Sequence, residues 1–143
     1  MSCRTLLPIS QSNDPINDLD QDALKFAATS REILGQSAEG GQQIDFTDNG
    51  KRRIVEQRFY GETGKSYARF YYFEDRIFAI TKLNLSYKVP IYVDSSAEIK
   101  SSEKKDFYLS KSGAVCNWFL NDSEQPVDND TINMIKEYIS GIL

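Results

Sequence analysis

The chain has 143 residues and a formal net charge of −4, with 40% hydrophobic and 27% charged residues. This length suits one domain that buries a core without help from metal or disulfide bonds. Its mean hydropathy of −0.49 excludes a membrane-embedded protein. Because the average field of an acidic protein repels phosphate groups, we do not expect nucleic acid as a partner.

The sequence contains no histidine and two cysteines, Cys3 and Cys116. Histidine is the commonest general base and a common zinc ligand, so its absence argues against most enzyme and metal sites. We therefore expect no cofactor and no metal. A disulfide bond between the two cysteines would join the N-terminus to a late strand, although no short spacing indicates it.

Cys3 is also a candidate for lipidation. The first residues, MSCRTLLPIS, lack the charged start and apolar stretch of a signal peptide. If a leader has been removed, Ser2 and Cys3 occupy the places of the small residue and the acylated cysteine of a bacterial lipoprotein. The sequence thus favours a periplasmic or cell-envelope location with membrane contact only through this anchor, and the alternative is a cytoplasmic protein with an incidental thiol.

The N-terminal part of the chain divides into an arm and a helix. Residues 1–17 contain two prolines and no period, which predicts a flexible arm, and residues 18–143 then form a single domain. Asp18 and Gln21 resemble a capping box, and Gly35 is suited to end the helix. The predicted helix buries one stripe of residues at three- and four-residue spacing: Leu19, Ala23, Phe26, Ala27, Ser30, Ile33 and Leu34.

Residues 48–93 alternate runs of β-branched and aromatic residues with short turn signals, which is typical of an antiparallel meander. After a short strand QQIDF, the Asp48-Asn49-Gly50-Lys51 sequence predicts a type I′ hairpin turn, because Asn and Gly tolerate positive φ. The next strand runs from residue 53 to 60. A turn over residues 61–65 follows, with Gly64 expected in the left-handed conformation.

The rest of the predicted sheet continues in the same way. After the strand over residues 66–73, Glu74-Asp75-Arg76 reverses the chain into a strand over 77–85, and residues 87–93 form another. Because Pro90 has no amide proton, this strand should be an edge or carry a bulge. Residues 94–105 are predicted to be the longest internal loop.

The C-terminal part is predicted to contain a hairpin and a helix. The hairpin joins DFYLS and AVCNWFL around Lys111-Ser112-Gly113, and residues 121–129 form a polar link. Asp128 or Asp130 caps the helix, whose apolar face contains Ile132, Ile135, Tyr138, Ile139 and Ile142. The predicted fold is therefore α+β, an antiparallel meander of about five to seven strands packed by an N-terminal and a C-terminal helix.

Two patterns that suggest chemistry have structural explanations. The G-E-T-G-K-S run at 61–66 resembles the end of a phosphate-binding loop, but Phe59 stands where that loop needs glycine and a strand follows where it needs a helix. The acids Glu56, Glu62, Glu74 and Asp75 lie close in sequence, as paired catalytic carboxylates can, but most fall in turns, where acids are usually exposed to solvent.

The aromatic residues provide the candidate binding surface. Alternation along one strand places Tyr67, Arg69 and Tyr71 on the same sheet face, while Phe70 points to the other. Two helices cannot cover both faces, so some tyrosines should be exposed, and exposed Tyr and Arg side chains are typical of recognition surfaces. We expect Tyr67, Arg69, Tyr71 and Tyr92 to contact a partner, and the alternative is ordinary cross-strand packing.

The turns and aromatic residues also resemble those of a known group of proteins. The shared features are E-G-G at 39–41, the D-N-G-K turn, Y-G-E-T-G-K at 60–65, Y-Y-F at 71–73, V-P-I-Y at 89–92 and the late N-W-F-L. Over about residues 20–120 the chain resembles a group of uncharacterised bacterial proteins that are often secreted or lipoprotein-like. Members usually follow Y-Y-F with an Asn/Asp-Gly-Lys turn, where E-D-R stands here, and the resemblance implies no catalytic or ligand-binding residue.

From these observations we expect a non-enzymatic cell-envelope domain that binds a protein or a small-molecule ligand. The alternatives are a small carboxylate-dependent enzyme, which would need acids around a deep pocket, and a structural assembly protein.

Overall fold

The computed structural model describes residues 20–33, 40–88 and 98–143 and contains one antiparallel sheet, in which each strand pairs with the next one in sequence. The strands are β1 (Ala27–Ile33), β2 (Gly41–Asp48), β3 (Lys51–Tyr60), β4 (Gly64–Phe73), β5 (Arg76–Tyr87), β6 (Ile99–Leu109), β7 (Val115–Leu120) and β8 (Ser123–Gln125). The predicted meander is confirmed, with eight strands in the described residues where five to seven were expected. The predicted boundary after residue 17 lies outside the described residues.

Two-residue turns with positive φ at both positions connect three of the hairpins. The turn residues are Asn49 and Gly50, Glu74 and Asp75, and Asn121 and Asp122. Such turns match the twist of the flanking strands. The predicted D-N-G-K and E-D-R reversals are confirmed, and Gly113, at φ 88°, lies in the predicted turn between β6 and β7.

Gly64 does not adopt the left-handed conformation that we predicted. It begins β4 and pairs with Ser86 of β5, and it is not among the glycines with positive φ. A Cβ atom at this position would overlap the backbone oxygen of Leu85. The glycine is needed because two backbones approach closely, and not because of a special φ angle.

The predicted N-terminal helix is wrong over most of its length. Residues 20–22 are helical and a 3-10 helix follows at Ala23–Lys25, but residues 27–33 form β1. In β1 only Ile33 is buried, so most of the positions that the helix would have buried are exposed instead. Pairing with β2 uses the backbone groups that β2 would otherwise leave unpaired, and this gain outweighs a weak local helix preference. Asp18, Leu19, Leu34 and Gly35 lie outside the described residues.

The second half of the sheet also corrects the prediction. Strand β5 continues to Tyr87, so no new strand begins there, and Pro90 and Tyr92 lie outside the described residues. The predicted loop over 94–105 is wrong from residue 99 onward, because Ile99–Leu109 is β6. The first half of β6 pairs with β5 alone and is exposed, so it has no buried side chains to give the sequence a period. The polar link over 121–129 contains the short strand β8.

One helix, α1 (Asn129–Ser140), follows the sheet. Asp128 caps it as predicted: its Oδ1 accepts a hydrogen bond of 2.9 Å from the amide of Thr131. Ile135 is buried, whereas Ile132 and Ile139 remain partly exposed, so the predicted apolar face is narrower than expected. Among the described residues, no helix is both long and apolar enough to cross a bilayer.

The two faces of the sheet have separate hydrophobic clusters. We call the face beneath α1 the helix face; its buried cluster consists of Val55, Ala68, Phe70, Tyr72, Ile80, Phe107, Leu109 and Ile135. The opposite face, here the open face, has a smaller buried cluster of Ile54, Tyr71, Phe78 and Ala79. The described residues before β1, 20–26, are here called the N-terminal segment, and its Ala23 and Phe26 pack on this second cluster. The two ends of the described chain therefore lie on opposite faces of the sheet.

Candidate functional site

Three of the four predicted contact residues lie together on the open face. Tyr67, Arg69 and Tyr71 alternate along β4 and therefore point to the same side. The strand register places Arg69 opposite Glu56 of β3, and Tyr67 opposite Arg58 of β3. Tyr92, the fourth predicted residue, lies outside the described residues, as does Cys3.

A buried carboxylate lies at the centre of this group. Glu56 is 5% exposed, and its two oxygens accept hydrogen bonds of 2.6 Å, Oε1 from Arg69 Nε and Oε2 from Arg58 Nε. Burial alone would lower the pKa of Arg69, but the hydrogen bond and the charge of Glu56 outweigh burial and raise that pKa above its ordinary value. Both guanidinium groups are therefore charged and held in fixed orientations by one acid.

The N-terminal segment supplies a second acid. Asp20 Oδ1 accepts hydrogen bonds from Arg69 Nη1 at 2.5 Å and from the Tyr71 hydroxyl at 3.0 Å. Tyr71 is 2% exposed, and burial first and then the charge of Asp20 raise its pKa. Tyr71 thus belongs to the floor of the site and supports Asp20, while Tyr67 and Arg69 are the more exposed of the three.

These side chains surround an open hollow of about 490 Å³. Its lining consists of Asp20, Glu56, Arg58, Tyr67, Arg69, Tyr71, Thr81 and Leu83. The volume lies within the range of roughly 300–1,000 Å³ that is usual for small-molecule sites, and it also suits one or two side chains of a protein partner. The side chains of Arg58 and Arg69 are 38% and 30% exposed, so both are accessible from solvent.

Sequence reasoning did not assign Asp20, Arg58, Thr81 or Leu83 to this site. Arg58 and Leu83 both lie opposite Tyr67, on its two neighbouring strands. If the register of both hairpins had been known, the alternation that placed Tyr67 on this face would have placed Arg58 and Leu83 there as well. Asp20 reaches the site across a large sequence separation, and no local pattern signals that contact.

The other candidate chemistry of the sequence is not assembled at a site. Glu62, Glu74 and Asp75 are exposed in turns, and Ser66 lies within strand β4, so the G-E-T-G-K-S run is the predicted hairpin connection. Within residues 20–33, 40–88 and 98–143, no three His, Cys, Asp or Glu side chains are grouped so that they could hold a metal ion. Cys116 is disulfide-bonded.

The chain matches no protein-family model, no curated protein and no solved structure. The open-face site therefore has to be interpreted from its own geometry.

Proposed function

We propose that this protein is a non-enzymatic cell-envelope domain that binds a protein or other ligand through the open face around Tyr67, Arg69 and Tyr71, with Tyr92 as a further contact. The observation that carries the proposal is the arrangement around Glu56, in which one buried acid fixes two partly exposed guanidinium groups beside a tyrosine. Tyr and Arg are the residue types enriched where binding energy concentrates.

The fixed geometry favours binding because it lowers the entropy that association costs. A flexible arginine loses rotamer freedom when it binds, whereas Arg58 and Arg69 have already lost it to Glu56 and Asp20. The two acids balance the two arginines, so the hollow carries no large net charge. A matching partner would present hydrogen-bond acceptors, such as a carboxylate or backbone carbonyl groups, next to an apolar group that covers Tyr67.

The proposal is tested by capture of a partner with matched variants. The wild-type protein, immobilised and exposed to an envelope extract of its native source, should retain a partner in stoichiometric amount. Tyr67→Ala and Arg58→Gln should each abolish retention. Arg31→Gln is the control, because Arg31 is a similarly exposed arginine that pairs with a different acid, Asp45. Retention that is unchanged in both open-face variants, or equally lost in the control, would contradict the proposal.

The envelope location forms part of the same proposal. Disulfide bonds persist mainly in oxidising compartments, and the bond at Cys116 supports such a location. Cys3 is the only other cysteine of the chain, so an intrachain disulfide and a lipid on Cys3 would compete for one sulfur atom. Intact-mass analysis of protein from its native source distinguishes them: a lipid adds a large mass, whereas an intrachain disulfide gains two hydrogens on reduction. A free, unmodified Cys3 thiol would contradict both.

The alternatives have no specific support in this geometry. A carboxylate-dependent enzyme would use Asp20 or Glu56, and each of these acids is paired with arginine. A structural assembly role predicts that the retained partner is a second copy of this chain, which the same capture experiment would reveal.

A further inference from the structure

A second and larger hollow lies on the helix face, away from the open-face site. It has a volume of about 780 Å³ and opens between the end of α1 and the connection of β3 with β4. Phe59, Phe70 and Tyr138 belong to its lining. Lys82 of β5 also lines it. The hollow therefore combines aromatic walls with two lysines, because Lys65 of β4 belongs to the lining as well.

Lys82 is partly buried, and its ammonium group lies near the rings of both Phe59 and Tyr138. Its Nζ is 5.3 Å from the ring centroid of Phe59 and 5.5 Å from that of Tyr138. Among the residues that the structure describes, Lys82 forms no salt bridge, whereas Lys104 and Lys105 of the neighbouring strand pair with Asp106 and Glu103. The pKa of Lys82 is lowered, first by burial and then by the charge of Lys105.

Packing against aromatic rings accounts for only part of this arrangement. Cation–π contacts recover some of the solvation that a buried ammonium group loses, but a carboxylate partner recovers more. A long side chain that only covered apolar surface would extend its charged end into water. Lys82 instead lines a hollow that is large enough to admit a small molecule.

We propose that the helix-face hollow binds a small organic acid with an apolar body, whose carboxylate pairs with Lys82 and whose apolar group packs against the aromatic side chains of the lining. Polar groups of the lining, among them Gln57 and Asn84, offer further hydrogen bonds to the acid group. The neutral part of such a ligand would replace water at the aromatic walls.

The charges around Lys82 define how binding depends on pH. Lys105, with its partner Glu103, approaches from β6, and Glu137 and Tyr138 approach from α1. Two further titratable side chains line the hollow, Lys65 of β4 and Tyr60 of β3. The anion binds the protonated amine, so affinity falls as the pH rises through the pKa of Lys82. Because that pKa lies below its ordinary 10.5, affinity is lost at a lower pH than an exposed lysine would give. Glu137 repels an anion, so Glu137→Gln should strengthen binding.

The test uses naphthoate and its neutral amide, naphthamide, as probes in calorimetric titrations. The wild-type protein should bind one naphthoate and prefer it to naphthamide by about tenfold, the usual effect of one charge-assisted hydrogen bond. Lys82→Met should remove this preference, and Lys82→Arg should restore it. Lys100→Met, on an exposed part of β6, is the control and should leave the preference unchanged.

Loss of binding in Lys82→Met cannot be attributed to unfolding if its urea midpoint equals or exceeds that of the wild type. We expect this, because the substitution keeps the aliphatic chain and removes a partly buried charge. The proposal is overturned if Lys82→Met retains the naphthoate preference, if the wild type shows none, or if its affinity does not change between neutral and alkaline pH.

Discussion

Glu56 illustrates how a single side chain can determine the character of a sheet surface. A buried carboxylate is costly unless positive groups compensate it, and here two arginines do so from neighbouring positions of β3 and β4. The same contacts keep both guanidinium groups at the edge of the open-face hollow. Stability and binding geometry therefore depend on the same acid.

This dependence predicts that Glu56→Gln lowers the free energy of unfolding by about 1–3 kcal/mol, less than for a fully buried pair because both arginines are about a third exposed. The amide keeps the shape of the side chain but removes the anion that Arg58 and Arg69 share, and it leaves Arg69 with Asp20 alone. Urea denaturation near neutral pH measures the effect. The matched control is Glu98→Gln, which breaks the exposed pair with Lys88 and should cost less than about 0.5 kcal/mol. Equal effects of the two substitutions would show that Glu56 does not hold the pair together.

Strands β4 and β5 form the longest ladder of the sheet, and Gly64 allows them to meet at its end. The carbonyl of Gly64 also closes the preceding turn, because it accepts a hydrogen bond of 2.9 Å from the Gly61 amide. A side chain here would push against the Leu85 backbone, which cannot rotate away as a flexible side chain can.

We therefore expect Gly64→Ala to destabilise the protein by about 1–3 kcal/mol through overpacking, despite the lower entropy that alanine gives the unfolded chain. Thermal or urea unfolding measures the change. Gly141→Ala is the control, because the nearest atom to its added Cβ would be the Tyr138 oxygen at an ordinary 3.6 Å and φ is −81°. This control should change stability by less than about 0.5 kcal/mol. If Gly64→Ala were equally neutral, the close approach of β4 and β5 would not be a constraint.

Elements with local signals were predictable from the sequence, and elements without them were not. Asn49-Gly50 and Asp128 act through the backbone within a few residues, so their sequence is sufficient to identify the turn and the helix cap. Strand β1 and the first half of β6 lie at the margins of the sheet, and their pairing is determined by the strand beside them. For the site, alternation correctly placed Tyr67, Arg69 and Tyr71 on one face, whereas the partner acids depended on register and on a distant segment.

At the scale of the whole molecule, the single sheet has a buried cluster on each of its faces, and opposite ends of the described chain pack on these clusters. Helix α1 covers the helix face through Ile135, and Phe26 covers part of the open face. Among the residues that the structure describes, the rest of the open face contains the arginine pair, and the short segment around Phe26 leaves both guanidinium groups partly exposed.

The role of α1 as the cover of the helix face can be tested with two identical substitutions on one helix. The substitutions are Ile135→Ala and Ile132→Ala, and because they are chemically identical they change helix propensity equally. They differ in burial, since Ile135 is 3% exposed and Ile132 is 38% exposed. Ile135→Ala should cost about 2–5 kcal/mol because it leaves a cavity against the sheet, and Ile132→Ala should cost less than about 1 kcal/mol.

Trp118 allows the same experiment to test whether helix and sheet unfold together. It stacks on Phe107 with ring centroids 5.3 Å apart, and its indole N–H donates to the Pro126 carbonyl at 2.9 Å, so its fluorescence reports on the helix face of the sheet. Because Ile135 and Phe107 share one buried cluster, we expect fluorescence and far-ultraviolet circular dichroism to give the same urea midpoint in the wild type and in both variants. If helical signal were lost before the fluorescence changed, α1 would be a separable element and the sheet would be stable without its cover.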